Sequence, residues 1–329
     1  MKKRDWIHLI IIFLLLGFSY FRYKNQTYIF NRVRFLLNTQ IEINVVSYSK
    51  NAERLLENAF NMIEEYELKF SYYNPKSELY KINNSEKEIF EIDDEFYEIL
   101  KLAEKVYYES NHLYDVTIGS SLDIWDFETG IIPDSLAISE ALLNIGFDKL
   151  ELREGFLYKP QGIKINLGSI SKGFIIDKVI ENLIEAGVKE TFVNAGGDIR
   201  FYSNGKRKWR VGVQNPRDPF SRIATLRIPD LAIVTSGDYE RFFISDEQRY
   251  HHIINPLTGL PTNITVSVTI LSPTAFVADA LATASMVMHP FEAIELIKTY
   301  PATEAIIYFF DANEEMVSLR TEGISRWVL

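Results

Sequence analysis

Two hydrophobic periodicities alternate along this chain, and they constrain its fold more than any other feature. Apolar residues recur at every second position over residues 41–45, which is typical of a half-buried strand, and at helical spacing over residues 55–63. The same helical spacing predicts helices over residues 94–109 and 171–187. Because strands and helices are interleaved, the sequence predicts a mixed α/β fold.

Short apolar runs bounded by turn-forming residues predict the remaining strands. They lie at residues 163–165, 191–193, 209–213, 231–234, 265–271 and 305–310. Residues 117–143 are rich in turn formers, so we expect them to pack over one face as a lid or insertion. The expected fold class is α/β (α+β mixed), with a largely antiparallel core, a smaller inserted lobe and a binding site between two lobes.

Charge and cysteine content exclude several classes of function. The 329 residues include 35 Lys and Arg against 45 Asp and Glu, which gives a formal net charge of −10. A polyanion-binding protein normally has an excess of positive charge, so we expect no nucleic acid as the main partner. The chain has no cysteine, so it can form no disulfide, thiolate metal site or cysteine nucleophile.

Residues 1–24 have the pattern of a signal or anchor segment. Lys2, Lys3 and Arg4 precede an apolar run over residues 7–20. At 1.5 Å per residue this run spans only about 21 Å, short of a hydrocarbon core of roughly 30 Å. A membrane-targeting helix retained near residues 6–23 and a cleaved signal both remain open. The basic residues predict a cytoplasmic N-terminus, with the catalytic part outside the cytoplasm at the cell membrane, or secreted after cleavage.

Two glycine-containing stretches are candidates for ligand binding. The first, L-G-S-I-S-K-G at residues 167–173, leads into a predicted helix, whose first amides and dipole favour an anion, and Lys172 adds a positive charge there. An ordinary helix cap by Ser169 or Ser171 is the alternative. The second, N-A-G-G-D at residues 194–198, permits close approach of a ligand or forms a simple hairpin turn.

A carboxylate–hydroxyl pair and a histidine pair complete the candidate chemistry. Asp279 and Thr283 are four residues apart, so on a helix their oxygens share one face and could hold a hard cation such as Mg²⁺. A helix cap is the ordinary alternative for Asp279. If residues 250–255 are extended, His251 and His252 face opposite ways, and only one of them can act in a pocket as a base or orienter.

Taken in order, these stretches resemble the ApbE-type FAD:protein FMN transferases, also called flavin transferases. The resemblance covers residues 35–288, within a predicted domain of residues 35–329. Its motifs are F-S-Y-Y-N-P-K-S-E-L-Y-K-I-N at 70–83, L-Y-D-V-T-I-G at 113–119, I-N-L-G-S-I-S-K-G at 165–173, V-N-A-G-G-D-I-R at 193–200, W-R-V-G-V-Q-N-P-R at 209–217, V-T-S-G-D-Y-E-R-F-F at 234–243, H-I-I-N-P-L-T-G at 252–259 and A-D-A-L-A-T-A at 278–284.

The resemblance implies an enzyme that uses FAD as substrate and Mg²⁺ as cofactor. Such an enzyme attaches FMN through its phosphate to a threonine or serine hydroxyl of a target protein and releases AMP. The implied fold is tunnelling-fold-like, and the implied target is a membrane redox subunit or an extracellular flavoprotein. Two alternatives remain open. The first is a Mg²⁺-dependent FAD pyrophosphatase, which uses the same site with water as acceptor and gives FMN and AMP. The second is a non-catalytic flavin-binding protein tethered to the membrane.

The resemblance also assigns roles to individual residues. Asp279, Thr283 and the backbone carbonyl of Ser169 match the metal ligands, and His252 matches the candidate catalytic base. The positions matching FAD contacts are Leu37, Asn38 and Thr39 near the adenine, Tyr73 near the flavin, and Leu113, Tyr114, Asp115, Asn166, Lys172 and Ile253.

Three asparagines depart from the family pattern. Asn38 stands where the family has glycine, and Asn166 and Asn255 stand where it has aspartate. The first change crowds a place of close backbone approach, and the second removes a negative charge near the nucleotide. We therefore expect an effect on FAD affinity, while the predicted metal ligands and His252 are intact.

Overall fold

The computed structural model describes residues 3–24, 26–48 and 52–329. Its helices are α1 (Lys3–Lys24), α2 (Ala52–Phe70), α3 (Glu78–Asn83), α4 (Asp94–Glu109), α5 (Gly119–Leu122), α6 (Ser135–Leu142), α7 (Ser171–Glu185), α8 (Ala275–Val287) and α9 (Pro290–Lys298). Its strands are β1 (Tyr28–Leu36), β2 (Thr39–Ser47), β3 (Ile89–Glu91), β4 (Glu151–Arg153), β5 (Phe156–Tyr158), β6 (Glu190–Ala195), β7 (Asp198–Tyr202), β8 (Trp209–Asn215), β9 (Asp218–Ile228), β10 (Ala232–Gly237), β11 (Phe242–Ser245), β12 (Gln248–His251), β13 (Thr265–Ser272), β14 (Glu304–Phe310) and β15 (Met316–Arg320).

The main sheet has eight strands in the order β1-β2-β6-β7-β10-β13-β14-β15. Each neighbouring pair in this sheet is antiparallel. This confirms the predicted mixed α/β fold with a largely antiparallel core. The tunnelling-fold-like label and the separate inserted lobe stay predictions.

The central strands of this sheet are buried on both faces. Neighbouring residues of β10 belong to different cores: Val234 packs in the core that contains α2, α7 and α8, whereas Ile233 packs with the β8–β9 ribbon. In β14, Ile307 likewise packs in the core with the helices, and Ile306 packs with the β8–β9 ribbon. Because successive side chains of a strand point to opposite faces, helices cover one face and the ribbon covers the other.

Local capping signals set the ends of two predicted helices. The side chain of Asp93 accepts a hydrogen bond from the amide of Phe96 and caps α4, which spans the predicted residues 94–109. The helix predicted over residues 171–187 is α7, which ends at Glu185, and Gly187 follows it with a φ of 80°. The predicted strands at 41–45, 191–193, 209–213, 231–234, 265–271 and 305–310 correspond to β2, β6, β8, β10, β13 and β14.

The prediction of a strand at residues 163–165 is wrong. There, only Lys164 makes an isolated bridge, with Ile118. The side chain of Asn83 takes the place of a neighbouring strand: its Nδ2 donates to the carbonyl of Ile165 at 2.7 Å, and its Oδ1 accepts from the amide of Ile165 at 2.8 Å. These two hydrogen bonds satisfy a buried main chain without a sheet.

The other two sequence expectations concern the glycine hairpin and the insertion. Gly196 and Gly197, with φ of 65° and 106°, form the turn between β6 and β7, so residues 194–198 are a hairpin turn. Residues 117–143 contain α5 and α6. Trp125 and Phe127 of this segment form a small separate core with Ile254, and the role of the segment as a lid or insertion stays a prediction.

The amino end of the described chain is α1, and those of its apolar side chains that the structure describes are largely exposed. Trp6, Phe13 and Leu14, for example, are each at least 60% exposed. Among the helices that the structure describes, none combines the length and the apolar character required to cross a bilayer.

Candidate active site

One cavity of about 340 Å³ gathers most of the predicted site residues. This volume lies within the usual range of ligand pockets. The predicted residues that line it are Tyr73, Leu113, Tyr114, Asp115, Asn166, Ser169, Lys172, His252, Ile253, Asp279 and Thr283. Leu37, Asn38 and Thr39 are not among its described lining residues.

Close packing of α7 on α8 places Asp279 in this pocket. A Cβ atom at Gly173 would lie only 2.2 Å from the carbonyl oxygen of Ala275 and 2.8 Å from the Cβ of Asp279, so this contact requires glycine. The amide of Gly173 donates to Oδ2 of Asp279 at 2.9 Å. Thr274 caps α8 through the amide of Val277. The alternative that Asp279 is a helix cap is therefore wrong.

The oxygen donors near Asp279 are of the chemical type that magnesium prefers. Asp279 and Thr283 are four residues apart in α8 and both line the pocket, as does Ser169. Burial raises the pKa of Asp279 to about 7, against the opposing charge of Lys172. In the described part of the chain, no group of three or more His, Cys, Asp or Glu side chains could hold a metal. A metal here would use few carboxylates plus hydroxyl, carbonyl and substrate phosphate oxygens, as Mg²⁺ commonly does.

The start of α7 offers fewer amides to an anion than the sequence predicts. Ile170 is the N-cap residue and no side chain caps the helix, so the alternative of a cap by Ser169 or Ser171 is wrong. The amide of Gly173 is taken by Asp279. The positive charge at this helix start must therefore come mainly from a side chain.

That side chain is Lys172, which forms an ion pair with Asp198. The side chain of Asp198 is only 3% exposed, and its Oδ1 also accepts a hydrogen bond from the amide of Thr235 at 3.2 Å. Burial lowers the pKa of Lys172, but the carboxylates of Asp198 and Asp279 outweigh it and hold this pKa above its usual range. Lys172 is therefore protonated. The sequence singled out the stretch that contains Asp198 but did not indicate this pairing.

Of the two adjacent histidines, His252 lines the pocket and His251 does not. The ring of His251 is buried, its Nδ1 accepts from the amide of Ile253 at 3.3 Å, and its Nε2 lies 2.6 Å from the carbonyl oxygen of Thr262. Because a carbonyl only accepts, Nε2 of His251 carries the proton. His251 therefore supports the local structure and does not act in the pocket.

His252 is the histidine that lines the pocket. Its Nδ1 lies 3.3 Å from the carbonyl oxygen of Arg241, so Nδ1 carries the proton and Nε2 keeps its lone pair. Burial, reinforced by the nearby His251, lowers the pKa of His252 to about 4. The ring is neutral near pH 7, and its Nε2 can accept a proton.

Asp115 lines the pocket, but its carboxylate oxygens are engaged within the protein. Oδ1 accepts from the amide and the hydroxyl of Thr117 at 2.7 and 2.6 Å, and Oδ2 accepts from the amide of Phe147 at 3.1 Å. Burial raises the pKa of Asp115 to about 6, against these hydrogen bonds. The neighbouring Tyr114 accepts from the hydroxyl of Ser169 at 3.0 Å. These side chains hold the pocket wall in place.

The predicted adenine-contact residues lie in the turn between β1 and β2. Leu37 and Asn38 form this turn, with φ of 53° and 59°. Thr39 lies beside Gly196 of the pocket wall, because a Cβ atom at Gly196 would be 2.3 Å from Oγ1 of Thr39. The turn therefore approaches the pocket through Thr39, and its contact with adenine stays a prediction.

The three asparagines that depart from the family pattern keep the local backbone geometry. Asn38 is in the left-handed region, which asparagine adopts more readily than most residues. Oδ1 of Asn166 accepts from the amide of Gly168 at 2.8 Å, and Oδ1 of Asn255 accepts from that of Leu257 at 2.9 Å. An aspartate oxygen would accept in the same way, so asparagine at positions 166 and 255 changes the charge rather than the turn geometry.

Several lining residues were not predicted from the sequence. Trp125 and Phe127 stack with ring centroids 5.7 Å apart and face the pocket together with Ile254. Glu240 and Arg241 are exposed and also line it. Their signal in the sequence is weak, because the aromatic pair lies in the irregular segment between α5 and α6 and the charged pair lies in a loop.

Comparison with known proteins defines the class of protein. The sequence profile described as the ApbE family matches residues 37–307. The chain therefore belongs to the ApbE family, which confirms the resemblance noted from its motifs. A Treponema pallidum relative called FAD:protein FMN transferase is 30% identical over 307 residues, covering 86% of this chain and 85% of the relative. A Vibrio cholerae relative of the same name is 32% identical over 238 residues, covering 69% and 71%.

Solved structures show the same fold. The crystal structure of the ApbE protein from Thermotoga maritima superposes with a TM-score of 0.83 at 30% identity, covering 91% of this chain and 99% of that one. The flavin transferase ApbE from Vibrio cholerae superposes with a TM-score of 0.81 at 24% identity, covering 92% and 100%. The second likeness is one of fold alone.

Proposed function

We propose that this chain transfers FMN from FAD to a threonine or serine hydroxyl of a target protein, through a phosphoester bond and with release of AMP. The observation that carries the proposal is the convergence of His252, Lys172 and Asp279 on one pocket. A base, a fixed cation and hard oxygen ligands are what attack on a diphosphate requires. The names of the relatives support the same reaction.

In the proposed reaction, His252 activates the acceptor. Its Nε2 takes the proton of the acceptor hydroxyl while the hydroxyl oxygen attacks the flavin-side phosphorus of FAD. A new phosphorus–oxygen bond forms, and the bond from this phosphorus to the bridging oxygen breaks. The bridging oxygen leaves with the electron pair as part of AMP, and the imidazolium returns its proton to solvent. The neutral state of His252 near pH 7 supports this role.

Charge neutralisation is the other requirement of the proposed reaction. Protonated Lys172, held by Asp198, would pair with the diphosphate at the start of α7. Asp279, Thr283 and the carbonyl of Ser169 would hold the magnesium ion, which when bound offsets the charge of the diphosphate. Lys172 and the magnesium ion would act on the same phosphate groups, because Lys172 and the proposed metal ligands line one pocket.

We also propose a location and a class of target. The target would be a membrane redox subunit or an extracellular flavoprotein, on the same side of the membrane as the domain. Residues 1–24 would act as the targeting segment, cleaved or retained near residues 6–23, and the basic residues before the apolar run support this orientation. Protease added to intact spheroplasts should digest the domain, and digestion only after lysis would contradict the location.

One incubation tests the proposed reaction. The purified full chain, FAD, Mg²⁺ and a candidate target should give a target whose intact mass increases by one bound FMN. A target whose acceptor threonine is replaced by valine is the matched control and should stay unlabelled. Free FMN and AMP without labelling would indicate FAD hydrolysis, and bound but unchanged FAD would indicate a non-catalytic flavin-binding protein. Either result would overturn the transferase proposal.

A further inference from the structure

A cluster of two partly exposed arginines around one buried aspartate lies outside the pocket. Nη1 and Nη2 of Arg217 donate to Oδ1 and Oδ2 of Asp238, both at 2.7 Å, which is a bidentate pair. Nη1 of Arg249 lies 3.9 Å from Oδ1 of Asp238 and 3.4 Å from its backbone carbonyl oxygen, to which it donates. The side chain of Asp238 is 9% exposed. None of the three belongs to the described lining of the pocket.

The cluster joins three parts of the fold at one point. Arg217 lies in the turn of the β8–β9 ribbon, Asp238 directly follows β10, and Arg249 belongs to β12. The amide of Asp238 also donates to the carbonyl of Val266 in β13 at 3.0 Å. Asp238 is thus fixed to the ribbon, to the main sheet and to the β11–β12 hairpin. A two-stranded hairpin is at best marginally stable alone, so these contacts help to set its position, together with the packing of its Phe243 and Tyr250 on Trp125 and Phe127.

The ends of this hairpin carry His252 and the group that orients it. Arg241 immediately precedes β11, and its carbonyl oxygen accepts from the amide of His252 at 3.1 Å and lies 3.3 Å from Nδ1 of the same residue. Asp238 lies three residues before Arg241, and Arg249 lies three residues before His252. The cluster therefore holds both sides of the hydrogen bond that fixes the His252 ring.

We propose that Arg217 and Asp238 are positioning residues for His252. They hold the Arg241 carbonyl where it keeps the proton on Nδ1 and directs the lone pair of Nε2 into the pocket. This inference is built on the proposed function, in which Nε2 of His252 accepts the proton of the acceptor hydroxyl. A partly exposed ion pair is weak grounds for a role in stability alone, whereas a bidentate pair specifies orientation.

A kinetic experiment tests the inference on the full chain. Arg217→Ala and, separately, Asp238→Asn should lower kcat for FMN transfer by about 10- to 100-fold, the scale of an ångström-level misplacement. FAD affinity should stay within about twofold, because neither residue lines the pocket. Arg217→Lys should recover part of the loss, since it restores the charge but not the bidentate geometry. Arg326→Ala is the control, because Arg326 makes a comparable 2.7 Å bond to Glu304 elsewhere.

A double variant distinguishes positioning from general support of the fold. In the His252→Ala background, Arg217→Ala should cause little further loss of transfer, because the group through which it acts is already gone. An equal further loss in that background, or an unchanged kcat in both single variants, would overturn the inference. A parallel loss of FAD affinity with kcat would also overturn it.

A spectroscopic measurement keeps the inference testable if the chain transfers no FMN. With the 5 histidines of the chain labelled with ¹⁵N, His252 should show the Nδ1-protonated tautomer in the parent protein and in Arg326→Ala. Arg217→Ala and Asp238→Asn should shift His252 toward a mixture of tautomers. An unchanged tautomer would overturn the positioning role, whereas absence of transfer with the expected shift would overturn only the proposed function.

Discussion

Substitution of Gly173 by alanine tests the contact that places Asp279 in the pocket. The added Cβ would lie 2.2 Å from the carbonyl oxygen of Ala275, where ordinary contact begins at 3.4 Å, so the backbone of α7 or α8 must shift by roughly an ångström. Overpacking against backbone costs about 3 kcal/mol, at the upper end of its common range, and the better helix propensity of alanine returns about 1 kcal/mol. We expect a net loss of about 2 kcal/mol.

Two assays on Gly173→Ala follow from this estimate. With an unfolding entropy of about 2.1 cal/mol/K per residue, the loss corresponds to a decrease in Tm of about 3 °C by calorimetry. Because the amide of Gly173 also bonds Oδ2 of Asp279, the magnesium-dependent part of FAD affinity should decrease as well. Gly17→Ala is the matched control, since its Cβ would meet nothing within 4 Å in α1. An unchanged or higher Tm for Gly173→Ala, with full FAD affinity, would refute the reasoning.

Three further perturbations test other contacts. Asp279→Ala should abolish transfer and weaken FAD binding only when Mg²⁺ is present, as flavin fluorescence with and without EDTA would show; equal FAD affinity with and without Mg²⁺ in the parent would contradict the metal assignment. Asn83→Leu should reduce the free energy of unfolding in urea by about 2 kcal/mol or more, because the buried amide and carbonyl of Ile165 lose their partners, and an unchanged midpoint would contradict this. Burial lowers the pKa of His251 from its ordinary 6.5, so as pH falls below this value the unfolded chain is protonated first and stability decreases. Between about pH 7.5 and about pH 5.5, the free energy of unfolding should decrease less in His251→Gln than in the parent protein. An equal decrease in the two proteins would contradict the lowered pKa of His251.

The sequence was sufficient where a signal is local. Asp93 caps α4 through an amide three residues away, and Gly187 ends α7 by its own backbone conformation, so the helix ends could be predicted from neighbouring residues. The alternation of apolar and polar residues over positions 41–45 likewise indicates a strand with one buried face. The motifs then identified the family.

Contacts between distant residues could not be predicted in this way. Asn83 bonds Ile165 across 82 positions and replaces the expected strand at residues 163–165. Asp198 pairs with Lys172 across 26 positions, and no periodicity marks a partner at that distance. Trp125 reaches the pocket wall from an irregular insertion. In each case the contact depends on tertiary packing, so the two partners are adjacent only in the folded chain.

The most direct test of the central claim is covalent FMN transfer measured by intact mass on parent and His252→Ala protein. The parent, with FAD and Mg²⁺, should add one FMN to the target protein. His252→Ala should bind FAD with nearly unchanged affinity and transfer FMN about 10²- to 10⁴-fold more slowly, the usual effect of losing a positioned base. Transfer by His252→Ala at the parental rate would contradict the assigned base, and absence of covalent flavin with the parent would contradict the proposed transferase.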